Sequence, residues 1–238
     1  MHKDLEAMVN RLFSLGAVKV DLERGFSLKA HRDNPALPRS PIYVELGTTS
    51  NVKKPGTLGK DETRAMARLY WELALKDLKA EFRAVAGVPD GGTAPARMIV
   101  EEAYHMSGRQ LEYLALAKSE HSKNASVERL VSGLRMPPTN VVLIEDAASS
   151  GKSIEEAAAV LRKHGHTVTH AVAFLNRLQG ARTNLQTKGI DFRCVITFPT
   201  LLKYGERGGH ITSKERMAVL RYLNEDKSER IRALAAAS

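Results

Sequence analysis

A chain of 238 residues, 43% hydrophobic and 26% charged, holds enough apolar material for one globular domain and is too apolar for general disorder. No apolar run reaches the roughly 20 residues of a membrane span, and MHKDLEAMVNRL lacks a secretory leader's apolar stretch, so a soluble, cytoplasmic protein is expected. The net charge of +9 suits an anionic partner, phosphorylated metabolite or nucleic acid, but only 5% of residues are aromatic, few platforms for stacked bases.

Along the chain, DLEAMVNRLFSLG repeats apolar residues at helical spacing and stops at Gly16. Residues 18–47 alternate in VKVDL, FSLKA and PIYVEL and are broken by Pro35, Pro38 and Pro41, which predicts a small β-rich flap. TTSNVKKPGTLGKDE reads as a polar linker, and RAMARLYWELALKDLKAE as one long helix. Strand candidates then recur in FRAVAGV, LEYLALA, VVLIED, VTHAVAFL and FRCVITF, separated in places by helical TAPARMIVEEAYHM, SIEEAAAVLRKHG and QGARTNLQTKG. That rhythm predicts an α/β fold with a central parallel sheet flanked by helices. We expect a single domain, 1–238, with a flap at 18–47, a sheet core at 83–205 and a helical tail at 212–238. The lone cysteine, Cys194, has no internal partner and sits in an alternating strand, so it reads as structural. The eight histidines are scattered, which does not suggest a metal cluster.

The segment IEDAASSGKS, 144–153, carries the most chemistry. Its Gly151, Lys152 and Ser153 match the end of a nucleotide-binding P-loop, but Asp146 occupies that loop's first glycine position. With Glu145 beside it, a polyphosphate would be repelled. At the C-terminal end of a parallel strand the two acids face the crevice where such folds bind ligands, and carboxylates can accept hydrogen bonds from a ribose diol. The small residues and Gly151 that follow make an anion nest for one phosphate at a helix start. Together these features describe a ribose 5-phosphate site. A capped turn with a solvent-facing acidic pair is the structural alternative.

VVLIEDAASSGKS resembles the loop that binds phosphoribosyl pyrophosphate (PRPP) in type I phosphoribosyltransferases. FSLKAHRDNPALPRSPIYVEL, VAGVPDGGTAPA and AVAFLNRLQGARTNL resemble, in order, the flap, pyrophosphate loop and strand-to-helix segment of orotate phosphoribosyltransferases. The resemblance runs from about Gly16 to Tyr204 and implies the type I phosphoribosyltransferase fold, its flap forming a hood. It also implies transfer of the 5-phosphoribosyl group of PRPP to orotate, with Mg²⁺, giving orotidine 5′-monophosphate and pyrophosphate in pyrimidine synthesis. On that template Lys29, Asp90, Gly91, Gly92, Glu145, Asp146, Ala147, Ala148, Ser149, Ser150, Gly151, Lys152 and Ser153 bind PRPP, and Lys29, Tyr43, Ser149 and Arg182 meet orotate. Lys118, His121 and Lys123 stand in the region of the family's catalytic lid, and Arg177 fits a structural role. Mg²⁺ is expected on substrate oxygens and water, with no metal cage of protein side chains.

The chain departs from the family in two places. Asp90 stands where some members have Lys, and AKSEHSKN replaces the usual Arg-Lys-x-x-Lys-x-His-Gly, displacing the lid's charges. The resemblance implies a homodimer, the lack of an apolar span leads us to expect no membrane partner, and nucleic acid is not the expected partner. Two alternatives stay open, a PRPP-dependent transferase for another base and a non-catalytic PRPP-binding regulator of nucleic acid.

Overall fold

The computed structural model describes residues 2–27, 38–52, 54–78, 81–118, 127–132 and 136–236. Two compact units divide the chain, 46–198 and a second made of 1–45 with 199–238.

The larger unit is built on a six-stranded sheet, in the order β5-β4-β3-β6-β7-β8. Its strands are β3 (Ala84–Gly87), β4 (Glu112–Lys118), β5 (Val127–Leu130), β6 (Asn140–Ala148), β7 (Thr167–Asn176) and β8 (Asp191–Thr197). All neighbours run parallel except β5, which pairs antiparallel with β4 at the edge. The sheet is therefore mixed, and β5 falls where sequence alone predicts only loop. VERL is too short to show an alternating period, although burial of Val127 and Leu130 fixes its register.

Three helices serve this sheet from the crossovers, α3 (Thr93–Ser107), α4 (Lys152–Lys163) and α5 (Ala181–Gln186), and α2 (Lys60–Tyr70) precedes it. The apolar spacing of α4 puts Ile154, Ala157, Ala158 and Leu161 on one stripe. That stripe closes on Leu143, Ala171, Ala173 and Phe192, where each large side chain contributes about 1.5–3 kcal/mol by burial. Phe174, one position on from Ala173, turns to the opposite face and packs on Tyr70 of α2, ring centroids 5.8 Å apart. The long helix expected after the linker is interrupted: α2 passes into a π-helical turn, Trp71–Leu75, where the Lys76 amide reaches back to the Trp71 carbonyl. The linker itself is tied down, with Leu58 donating to Gly47 and Thr49 to Leu58.

This topology has one switch point. From β3 the chain moves outward to β4 through α3, and from the adjacent β6 it moves the other way to β7 through α4. A crevice must open above the carboxyl ends of β3 and β6, where the two connections part.

The other unit contains α1 (Lys3–Ser14), the antiparallel pair β1 (Val18–Val20) and β2 (Ile42–Val44), most of α6 (Phe198–Arg207), and α7 (Ser213–Ala236). A bridge between Phe26 and Ser40 extends the β pair, in keeping with the predicted β-rich flap. Phe13 of α1 stacks on His210 at 5.2 Å, and Arg207 reaches Glu6 at 3.3 Å, so the end of α6 and the turn after it lie against the first helix. The tail forms a single helix. No helix of the described residues is long and apolar enough to cross a membrane.

Candidate functional site

The acidic strand end and the loop after it lie at the switch point. Glu145 and residues 147–154 line a pocket of about 140 Å³. Gly151 has φ +82°, which lets the chain turn sharply into α4, and a Cβ there would lie 2.9 Å from Leu185 Cγ. The first amides of α4 have no intrahelical acceptor and no side chain caps them, which leaves donors and the positive helix end at the pocket wall. An anion of one phosphate's size matches that wall.

The loop is held from behind by the β7 to α5 connection. Arg177 N–H donates to the Ala148 carbonyl at 2.9 Å, Ala181 N–H to Ser149 at 3.0 Å, and the Asn184 amide to Ser150 at 3.0 Å. The segment NRLQGARTN is thus fastened to residues 148–150 along its length. Within it, Leu178 adopts φ +57° and its N–H is bonded to Asn176 Oδ1 at 2.9 Å. Arg182 is exposed in the first turn of α5, and its charge reaches Cys194 on β8, where burial nonetheless raises the thiol above its ordinary range. That agrees with a structural cysteine.

Both acids fold back onto their own backbone. Glu145 Oε1 accepts the Asp146 N–H at 3.1 Å, and Asp146 Oδ1 accepts the Ala147 N–H at 2.6 Å. Burial, then the Asp146 charge and a bond between the two carboxyls, pushes Glu145 well above the ordinary carboxylate range, against the pull of Lys118. Glu145 therefore keeps its proton to higher pH than a free glutamate. Glu145 lines the pocket, and Asp146, bonded to it, also packs against the turn 89–92. A Cβ built on Gly91 would sit 2.1 Å from Asp146 Oδ2, and one on Gly92 2.0 Å from the Ile144 carbonyl. Only glycines allow this turn to lie on β6. Next to it, Lys118 at the end of β4 reaches Asp90 Oδ2 at 3.4 Å.

The structure therefore brings together Asp90, Gly91, Gly92 and Lys118 with the acids and residues 147–153, across the three adjacent strand ends of β4, β3 and β6. Tyr43 belongs to the smaller unit, where its hydroxyl donates to Glu45 at 2.9 Å. Lys29, His121 and Lys123 lie outside the described residues. One residue was invisible to sequence reasoning: Tyr70, fully buried, donates its hydroxyl to the Glu145 carbonyl. Nothing in a helical tyrosine marks such a partner 75 positions away.

Comparison with known proteins decides the family. The profile of the phosphoribosyl transferase domain matches residues 59–199. An orotate phosphoribosyltransferase of Aeropyrum pernix is 30% identical over 210 residues, covering 87% of this chain and 98% of the relative. The chain belongs to the orotate phosphoribosyltransferase family. A solved orotate phosphoribosyltransferase from Aeropyrum pernix superposes with a TM-score of 0.57 at 27% identity, covering 82% of this chain and 96% of that one. The bovine (Bos taurus) uridine 5′-monophosphate synthase is 31% identical over 187 residues, 79% of this chain. This chain spans only 36% of that relative's length. Membership accounts for the type I fold with its mostly parallel sheet.

Proposed function

We propose that this chain transfers the 5-phosphoribosyl group of PRPP to orotate, releasing pyrophosphate and forming orotidine 5′-monophosphate for pyrimidine synthesis. The observation that carries this reading is the pocket itself, an acidic strand end followed by an uncapped helix start at the sheet's switch point. It suits a sugar bearing one phosphate.

In this reading Glu145 and Asp146 bind the ribose hydroxyls, and Glu145, which keeps its proton to higher pH than a free glutamate, can donate as well as accept. Residues 147–153 surround the 5′-phosphate through backbone N–H groups and the hydroxyls of Ser149, Ser150 and Ser153. Gly91 and Gly92 let the 89–92 turn approach the pyrophosphate, and Lys118, with His121 and Lys123, offsets its charge as it leaves. Bond breaking places positive charge on the sugar and negative charge on the leaving group, so fixed acids on one side and cations on the other lower the barrier. Lys29, Tyr43, Ser149 and Arg182 meet orotate, the guanidinium opposite its carboxylate.

Among the described residues no three His, Cys, Asp or Glu side chains gather to enclose a metal. The residues present fit Mg²⁺ carried by substrate oxygens and water, with Asp90 and Asp146 as neighbouring carboxylates. When bound, the ion would neutralise the leaving pyrophosphate. A cytoplasmic homodimer is the setting this reading expects.

The test is a panel of bases with PRPP and Mg²⁺. Pyrophosphate release with orotate, and none with uracil, hypoxanthine or guanine, supports the assignment. Turnover with another base and none with orotate removes it.

A further inference from the structure

Tyr70 ends the regular part of α2, just before the π-helical turn, and is 0% exposed. Its ring packs on Phe174 of β7, and its hydroxyl donates to the main-chain carbonyl of Glu145. That carbonyl belongs to the peptide joining the two acids. The same peptide's N–H, on Asp146, donates to Glu145 Oε1 at 3.1 Å. The peptide is thus gripped at both polar ends, by a buried phenol on one side and by the glutamate's own carboxylate on the other. Rotating it would swing the Glu145 carboxylate off the pocket wall and lift Asp146 from the 89–92 turn.

We propose that Tyr70 is a positioning residue for the sugar-binding acids: its hydroxyl clamps the Glu145–Asp146 peptide and so fixes where both carboxyl groups point. This rests on the sugar-phosphate reading of the pocket. Tyr70 touches no substrate in that reading and acts through the peptide. Burial raises its own ionisation well above the usual phenol range, so it stays a hydrogen-bond donor throughout the working pH range.

The test is Tyr70→Phe, which keeps the ring against Phe174 and removes one oxygen. Amide exchange of the unliganded protein, read by NMR, should show the Asp146 N–H exchanging at least about 10-fold faster, with Leu143 unchanged. Steady-state kinetics should show KM for PRPP rising at least about 5-fold while KM for orotate stays within about twofold, with a displaced acidic limb in the pH profile. Phe174→Leu is the structural control, since it thins the packing and keeps the hydroxyl. It should lower the melting temperature and leave KM for PRPP within about twofold. Exchange at Asp146 and KM for PRPP both unchanged in Tyr70→Phe would overturn the proposal. Faster exchange with unchanged PRPP kinetics would overturn it too, because the bond would then be structural only. If the wild-type protein neither binds PRPP nor consumes orotate, the function reading falls, and exchange at Asp146 alone decides the clamp.

Discussion

Gly91→Ala perturbs the site without deleting any of its chemistry. The substitution puts a methyl group 2.1 Å from Asp146 Oδ2, 2.2 Å from its Cγ and 2.6 Å from its Oδ1. Gly91 is outside the left-handed region, so alanine meets no backbone penalty there. The carboxylate must retreat by roughly 1.3 Å or more to reach ordinary van der Waals contact. Retreat breaks the 2.6 Å bond from the Ala147 N–H, a bond to a charged group worth about 1.5–3 kcal/mol. An off-rotamer side chain adds about 0.5–1.5 kcal/mol. The combined loss, about 2–4 kcal/mol, falls on the acid that would bind the ribose, so kcat/KM for PRPP should drop by about 30-fold or more. The assay is steady-state kinetics with PRPP varied at saturating orotate, alongside a thermal melt showing the sheet intact. A variant that keeps kcat/KM within about threefold of wild type would refute the claim that Asp146 must sit against this turn.

Glu145→Gln should stabilise the unliganded protein above neutral pH while abolishing PRPP binding. Because the Glu145 carboxyl is raised in the folded state, that state binds more protons than the unfolded chain between the two ionisations. Stability therefore falls as pH climbs through that window, and glutamine removes the slope. A gain on the order of 1 kcal/mol, about 2–4 °C in melting temperature at pH 8, is expected, with no gain below pH 4. Asn184→Ala removes the bond to the Ser150 carbonyl and should raise KM for PRPP by about 3–10-fold with kcat little changed, measured by initial rates. Asp90→Asn releases Lys118 from a partly exposed ion pair and should tighten pyrophosphate inhibition by a few-fold, an effect that fades with added salt.

The β6–loop–α4 unit was legible because its signals are local: a β-branched run, two acids, small residues, then Gly151 where only a left-handed turn fits. The same holds for most of the sheet's parallel order, since β3, β6 and β7 are each followed by a helical period. What sequence could not supply is set by long-range packing. Tyr70 reaching Glu145, Gly91 pressed on Asp146 and Asn184 holding Ser150 each join residues 34 to 75 positions apart, and none has a periodic trace. The edge strand β5 and the π-helical turn were missed because tertiary burial, not propensity, fixes them. The contact of Asp146 with the 89–92 turn was hidden for a similar reason, since it depends on a turn 55 positions away.

The most direct measurement is a single reaction of the wild-type protein with PRPP, orotate and Mg²⁺, quantifying orotate consumed and pyrophosphate released together. Equal amounts of each, abolished by Glu145→Gln, are the predicted result. No consumption of orotate, with PRPP failing to bind by calorimetry while ATP binds tightly, would contradict the sugar-phosphate pocket itself.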